Sequence, residues 1–266
     1  MSDTHDSARD ALAIVIVSFN ARADLEACLA SIAAHPPSLA HEIVVVDNAS
    51  RDGSAGAART AGVNVVALDR NVGFAAANNA GIRRTRGELI LLLNSDTIVP
   101  PGAIDALVAR LRAVPDAAAA GPRLVDARGI AELSFGRMIS PLNEYRQKHR
   151  TREWIDRETA REQFVDWVSG ACLLVYRAEA EKAGLLDERF FLYTEDVDFC
   201  ASLRKLGRKV LFTPVATIQH LRGRSRASQP EAARQAYRRS HVAFYEKHHP
   251  LWAPILKLYL RGKREP

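Results

Sequence analysis

The sequence predicts an α/β protein: a mostly parallel central sheet flanked by helices, followed by a C-terminal helical extension. Two observations carry this. Apolar strand-like segments alternate with helical ones up to residue 113, joined by short links, the pattern of a parallel sheet covered on both faces. In addition, Leu89-Ile90-Leu91-Leu92-Leu93 runs directly into Asn94-Ser95-Asp96. Five large apolar residues in a row suit a strand buried on both faces, and its polar end falls where open α/β sheets place their ligands.

Taken in order, residues 12–18 (LAIVIVS) form a strand and 23–34 an Ala-rich helix stopped by Pro36-Pro37. Strands over 42–47 and 63–68 bracket a helix over 52–61. A helix over 73–85 precedes the apolar strand, and another follows at 103–113. Right-handed crossovers make 11–125 a nucleotide-binding half. The rhythm then breaks. Residues 126–163 are charged and irregular, a long loop with some helix, and such segments are commonly functional. Strand character resumes at 165–176, followed by a short helix over 178–183. A helix over 194–206 is capped by Thr194 and closed by Gly207. Two short strands, 209–212 and 216–220, complete a domain spanning 11–226, with 126–226 as its second half. Residues 1–10 form a flexible N-terminus, and 227–266 a helical extension.

The chain of 266 residues is long enough for one substantial core. Its net charge of +6 and pI near 9.4 point to an anionic partner. The excess concentrates at 137–161 and 221–264, which suits phosphate groups or anionic lipid headgroups. No helix-turn-helix, zinc-finger or RNA-binding signature accompanies it, so nucleic acid is not expected. Cys28, Cys172 and Cys200 are far apart and match no metal spacing, as in a reduced, cytoplasmic protein. The polar start is no signal peptide, and no apolar run reaches the roughly 18–20 residues of a membrane span.

Four polar strand ends converge on one crevice in such a sheet: Ser18 and Asn20, then Asp47 and Ser50, then Asn71, Gly73, Phe74 and Asn78, and finally Asn94, Ser95 and Asp96. Asp47, acceptor-only when ionised, suits a base or ribose, and the Asn71 and Asn78 amides suit a nucleoside edge. The Asp96 cluster can hold a hard divalent cation, Mg²⁺ or Mn²⁺, which in turn holds a diphosphate. No Gly-x-Gly-x-x-Gly follows the first strand and no Gly-x-x-x-x-Gly-Lys-Ser/Thr occurs, so dinucleotide dehydrogenases and P-loop enzymes are disfavoured. His220 can complete a metal site begun by Asp96, and Arg222, Arg224 and Ser225 can clamp phosphate oxygens. Glu195, Asp196 and Asp198 open a helix, where the dipole stabilises negative charge. One of them can serve as a general base while the others make structural contacts. Helical spacing puts Glu195 and Asp198 on one face and Asp196 towards Cys200.

The ordered set closes with Val168-Ser169-Gly170-Ala171, Gly184-Leu185-Leu186-Asp187-Glu188, Glu195-Asp196-Val197-Asp198 and His220 with Gly223 and Ser225. Across residues 12–226 it resembles the family 2 glycosyltransferases, within them the bacterial rhamnosyltransferase-like branch. The resemblance implies a GT-A fold and an inverting, metal-dependent transfer from a nucleotide-diphospho-sugar, with 126–226 as the acceptor half. Asp196 matches the family's general base, Asp96 the last acid of its metal motif, His220 a metal-binding histidine and Asp47 the acid that binds base or ribose. Asn94 departs from the pattern, standing where the first acid often is. The implied donor is dTDP-rhamnose, with a UDP-hexose or UDP-galactofuranose as the alternative. On the acceptor side, Trp167 with Ser169 and Gly170 suits a floor for a sugar ring beside Glu195; a core position explains Trp167 equally. The basic segments suit a polyprenyl-diphosphate-linked saccharide at the inner face of the cytoplasmic membrane, in cell-surface polysaccharide synthesis. Trp252, Ile255, Leu256, Leu258 and Tyr259 with Lys257, Arg261, Lys263 and Arg264 suit an interfacial helix; packing onto the domain explains them equally. A sugar-phosphate nucleotidyltransferase would need a Gly-rich, Lys-containing loop after the first strand, which is absent. A non-catalytic saccharide-binding scaffold is the reading from another class.

Overall fold

Successive residues of a strand face opposite sides of its sheet, and the first strand divides the core accordingly. In the computed structural model, which describes residues 11–221 and 230–262, Leu12, Ile14 and Ile16 join one apolar layer and Val15 and Val17 the other. They belong to β1 (Leu12–Ser18), followed by α1 (Arg22–Ala34), β2 (His41–Asp47), α2 (Ser54–Thr60), β3 (Asn64–Ala67), α3 (Phe74–Ile82) and β4 (Leu89–Asn94). Strand β1 pairs in parallel with β2 and β4, and β2 with β3. Along β4, Leu89, Leu91 and Leu93 face one layer and Ile90 and Leu92 the other. This double burial is the physical reason for its unbroken apolar run.

The chain proceeds through β5 (Thr97–Ile98), α4 (Ala103–Arg112), β6 (Ala117–Val125), β7 (Ala131–Glu132), β8 (Phe135–Gly136), α5 (Pro141–Lys148) and α6 (Arg152–Glu158). It continues with β9 (Gln163–Val165), β10 (Trp167–Val168), β11 (Cys172–Tyr176), α7 (Arg177–Lys182), α8 (Glu195–Lys205) and β12 (Lys209–His220). The main sheet runs β3-β2-β1-β4-β11-β6-β12-β5, with β7 against β6 and β9 against β12; β8 and β10 form a separate ribbon. Strand β11 lies antiparallel between β4 and β6, while β6 and β12 are parallel. The sheet is therefore mixed, with its unbroken parallel part in β3-β2-β1-β4.

Several elements differ from expectation. Strand β6 was not anticipated, because Ala117-Ala118-Ala119-Ala120 favours helix on propensity alone. All four residues are fully buried, and packing overrides that preference. Residues 165–176 form parts of three strands rather than one. Residues 209–220 form a single strand, whose register shifts between Thr213 and Thr217 around Pro214, a residue with no N–H to give the ladder. The 126–163 segment holds two capped helices. Ser140 Oγ accepts from Asn143 N and Thr151 Oγ1 accepts from Trp154 N. Thr194 does not cap α8: its φ is +66°, and its hydroxyl makes no cap bond.

The extension forms α9 (Pro230–His248) and α10 (Ala253–Gly262). Phe244 and Tyr245 of α9 pack with Phe190 and Val197. Lys247 Nζ donates to both Asp187 and Asp198 at 2.8 Å, and His248 Nε2 lies 2.6 Å from Asp198. Packing thus accounts for α9 and for Ala253 and Leu256 at the start of α10. Leu251, Trp252, Ile255, Leu258 and Tyr259 remain exposed. Among the described residues, no helix is long and apolar enough to cross a membrane.

Candidate active site

The parallel strands end together. Ser18 and Asp47 are Cα partners at the last rung of β1 and β2, and both side chains are buried. Asp47 Oδ2 accepts from Ser50 N at 3.1 Å. Asn20, held at φ +50°, accepts from Arg51 N on Oδ1 and donates its own N–H to Ser50 Oγ. Asn20 and Ser50 therefore bind the first two loops to each other. Asn48, outside the predicted set, performs the same service for the third. Its amide donates to Asn71 Oδ1 at 2.9 Å and accepts from Val72 N at 2.9 Å, while Asn71 Oδ1 also accepts from Gly73 N. Gly73 has φ +89°, and a Cβ there would sit 2.4 Å from the Phe191 carbonyl oxygen, which accepts from Phe74 N. Only glycine lets the loop before α8 rest on the nucleotide-binding half. Asn78 is 1% exposed and donates to Phe74 O within α3. That amide shapes the helix start instead of reaching a nucleoside.

Asp96 and His220 come together as expected. Pairing of β5 with β12 sets Thr97 opposite His220, and Leu221 N donates to Asp96 O. Asp96 Oδ1 lies 3.3 Å from His220 Nε2, with Asn94 Nδ2 3.4 Å from the same nitrogen. On the far side of the ring, His220 Nδ1 lies 3.4 Å from Glu132 Oε2. Burial opposes charge on this imidazole, but hydrogen bonds and attraction from Asp96 and Glu132 outweigh it and raise its pKa to about 9. A carboxylate oxygen, an amide oxygen without a partner on Asn94 and an imidazole nitrogen are a donor set that fits Mg²⁺ or Mn²⁺. Glu132 then takes the place of the outer carboxylate that orients a metal-binding histidine. Among the described residues no three His, Cys, Asp or Glu side chains form a complete cage. Ser95 is buried beside Asp96. Arg222, Arg224 and Ser225 lie outside the described residues.

Three carboxylates at the start of α8 have three environments. Asp196 is partly exposed; its Oδ2 accepts from Gly170 N at 2.9 Å and its Oδ1 from Val197 N at 2.8 Å. Burial raises its carboxyl pKa, and these backbone donors pull the other way. Glu195 is buried, and burial together with the Asp196 charge holds it well above the usual carboxylate range. Asp198 is buried against Lys247 and His248. Neighbouring acids pushed apart in this way can divide proton acceptor from proton holder. Gly170 lies between Asp196 and the Phe74 ring: a Cβ on it would be 3.3 Å from Asp196 Cβ and 3.5 Å from Phe74. Ser169 Oγ is engaged by Ala171 N. Trp167 packs against the apolar clusters and donates its indole N–H to Arg137 O, so its ring is a wall of the core more than a free floor.

Buried polar groups normally find partners. Among the described residues, five buried side-chain atoms near this crevice have no hydrogen-bond partner: Ser18 Oγ, Asp47 Oδ1, Asn94 Oδ1, Thr194 Oγ1 and Glu195 Oε2. Sequence reasoning found four of these residues as site candidates. It missed Asn48, whose place beside Asp47 was a usable signal, and Glu132, which lies 88 residues from His220 and gave none.

Residues 13–180 match the family model for Glycosyl transferase family 2. A relative from Mycobacterium tuberculosis, N-acetylglucosaminyl-diphospho-decaprenol L-rhamnosyltransferase, is 32% identical over 95% of this chain and 90% of its own length. Among solved structures, a Pyrobaculum calidifontis mannosyltransferase in complex with GDP-Man and Mn²⁺ has a TM-score of 0.64 at 20% identity, over 94% of this chain and 68% of that one. GalNAc-T7 with UDP, GalNAc and Mn²⁺ has a TM-score of 0.61 at 17% identity, over 80% of this chain and 44% of that one. These two share its fold.

Proposed function

The chain belongs to glycosyl transferase family 2 and has its GT-A fold, and on that premise we propose that it moves L-rhamnose from dTDP-rhamnose, with inversion, to a hydroxyl of an N-acetylglucosaminyl-diphospho-polyprenol. The observation that carries the site is the set of five partnerless buried polar atoms, three at the ends of β1, β2 and β4 and two at the start of α8. The named relative from Mycobacterium supports the sugar and the acceptor. Asp47 and Ser18 hold the nucleoside. Asp96, His220 and the Asn94 amide oxygen would hold Mg²⁺ or Mn²⁺, which when bound supplies counter-charge to a diphosphate. Asp196 accepts the proton of the attacking acceptor hydroxyl, and one displacement at the sugar carbon inverts it without an enzyme nucleophile.

The test is the melting temperature of the protein with dTDP, dTDP-rhamnose, UDP and UDP-sugars, each with and without Mn²⁺. A ligand at a hundred times its Kd should raise it by roughly 5 °C for a chain of this size. The expected result is a Mn²⁺-dependent rise with dTDP-rhamnose that Asp96→Ala removes. A UDP-selective rise would replace the donor and keep the enzyme class. No rise with any of them would overturn the reading in favour of a scaffold.

The acceptor's lipid places the reaction at a membrane, on the cytoplasmic side where sugar nucleotides are made. We assign Leu251 and Trp252 before α10, and Ile255, Leu258 and Tyr259 on it beside Arg261, to an anionic bilayer surface. Sedimentation with phosphatidylglycerol vesicles should carry the protein down, and Leu258→Glu should leave it in the supernatant with its donor response unchanged. Failure of the unaltered chain to sediment would sink this assignment.

A further inference from the structure

Helix α9 carries Tyr237, His241 and Tyr245 at four-residue intervals, and His249 follows just past its end with its N–H on Tyr245 O, which puts all four on one face. Their rings succeed one another at centroid distances of 5.6, 5.1 and 5.4 Å. The inner end is core, with Tyr245 only 2% exposed; the outer end is open, with Tyr237 46% exposed. There Tyr237 meets Tyr193 edge-on at 5.8 Å and 69°. Glu144 of α5 lies alongside, its side chain 28% exposed, with Oε1 2.8 Å from His241 Nε2 and Oε2 accepting from Tyr245 Oη. Core packing explains the buried half of this ladder but not the two tyrosines at its open end, nor the 28% exposure left to the Glu144 side chain.

Their position relative to the base is fixed. Tyr193 precedes Asp196 by three residues, in a turn held at φ +70°. Ser240 of α9 donates to Leu192 O of the same turn at 2.7 Å. The nucleotide-side groups come from residues 18–96, whereas this face is built from α5, the turn before α8, and α9.

We propose that Tyr193, Tyr237 and Glu144 form the subsite that receives the pyranose ring of the acceptor, an inference that rests on the glycosyl-transfer reading above. Aromatic faces offer an apolar surface to the C–H side of a sugar, and a few placed polar groups fix its orientation. The Glu144 carboxylate, held by His241 and Tyr245, accepts from a sugar hydroxyl and thereby sets which other hydroxyl is presented to Asp196.

The experiment compares the full chain with Tyr237→Ala and Tyr237→Phe, using a short-chain N-acetylglucosaminyl-diphospho-lipid as acceptor and each nucleotide sugar as donor. Tyr237→Ala should raise the acceptor KM roughly tenfold, equivalent to about 1.4 kcal/mol, with the donor KM unchanged. Tyr237→Phe should retain the wild-type value. An acceptor KM unmoved by Tyr237→Ala would overturn the subsite. If the unaltered chain transfers sugar to no such acceptor, the functional reading itself fails. The subsite is then decided by saturation-transfer NMR with methyl glycosides of N-acetylglucosamine, galactose and mannose. A contact in the unaltered chain that Tyr237→Ala loses supports it, and no contact with any of them overturns it.

Discussion

Asp196→Asn should leave the fold and donor binding intact and cut transfer by about 10²–10⁴-fold, the usual worth of a positioned general base. The amide keeps the size of the carboxylate and still offers an oxygen to Gly170 N or Val197 N, which hold the side chain at 2.9 and 2.8 Å. The proton acceptor is lost, together with one of these two backbone hydrogen bonds, since the amide nitrogen cannot accept one. The same side chain sets a pH limb. Burial raises the Asp196 carboxyl, and a base works only when ionised. The rate of the unaltered enzyme therefore rises with pH through that raised pKa and falls below it. Turnover measured across pH at saturating donor checks both points. Wild-type turnover in Asp196→Asn would remove this residue from the mechanism.

The largest loss of stability is expected from Asp198→Ala. The Asp198 side chain is 2% exposed and faces the Lys247 ammonium and the His248 imidazole. Breaking a buried pair by removing one member typically costs roughly 3–5 kcal/mol, because the other charge stays buried. Lys247 keeps Asp187 at 2.8 Å, which places the expectation near the low end, about 3 kcal/mol. Urea unfolding measures it. Adding Lys247→Met should recover part of the loss, since the uncompensated charge goes with it. A fall below about 1 kcal/mol would show that the clamp contributes no more than a surface ion pair.

What the sequence revealed followed from local rules. A strand buried on both faces must be apolar throughout, so β4 was plain, and its polar end led to Asp96. The order of polar strand ends led to Ser18, Asp47 and Asn71 because parallel strands share one exit edge. Other features depend on contacts remote in the chain. Strand β6 is alanine-rich and becomes a strand only between β11 and β12. Glu132 reaches His220 through a two-residue strand that has no pattern to detect. Thr194 has the identity of a helix cap, yet Tyr193 and Thr194 both adopt positive φ, a strained turn that propensity cannot foresee. The charges of α9 read as a basic surface, whereas Lys247 and His248 belong to the interior.

The attachment of α8 to α9 has a consequence for how the enzyme comes into being. The strand ends that line the nucleotide side leave the ribosome early, whereas α8 is fastened by residues 49 and 50 positions downstream of Asp198. The donor platform is thus synthesised well before the helix bearing the base gains its anchor. A chain cut short before Lys247 would keep those strand ends but lack the tie that fastens α8.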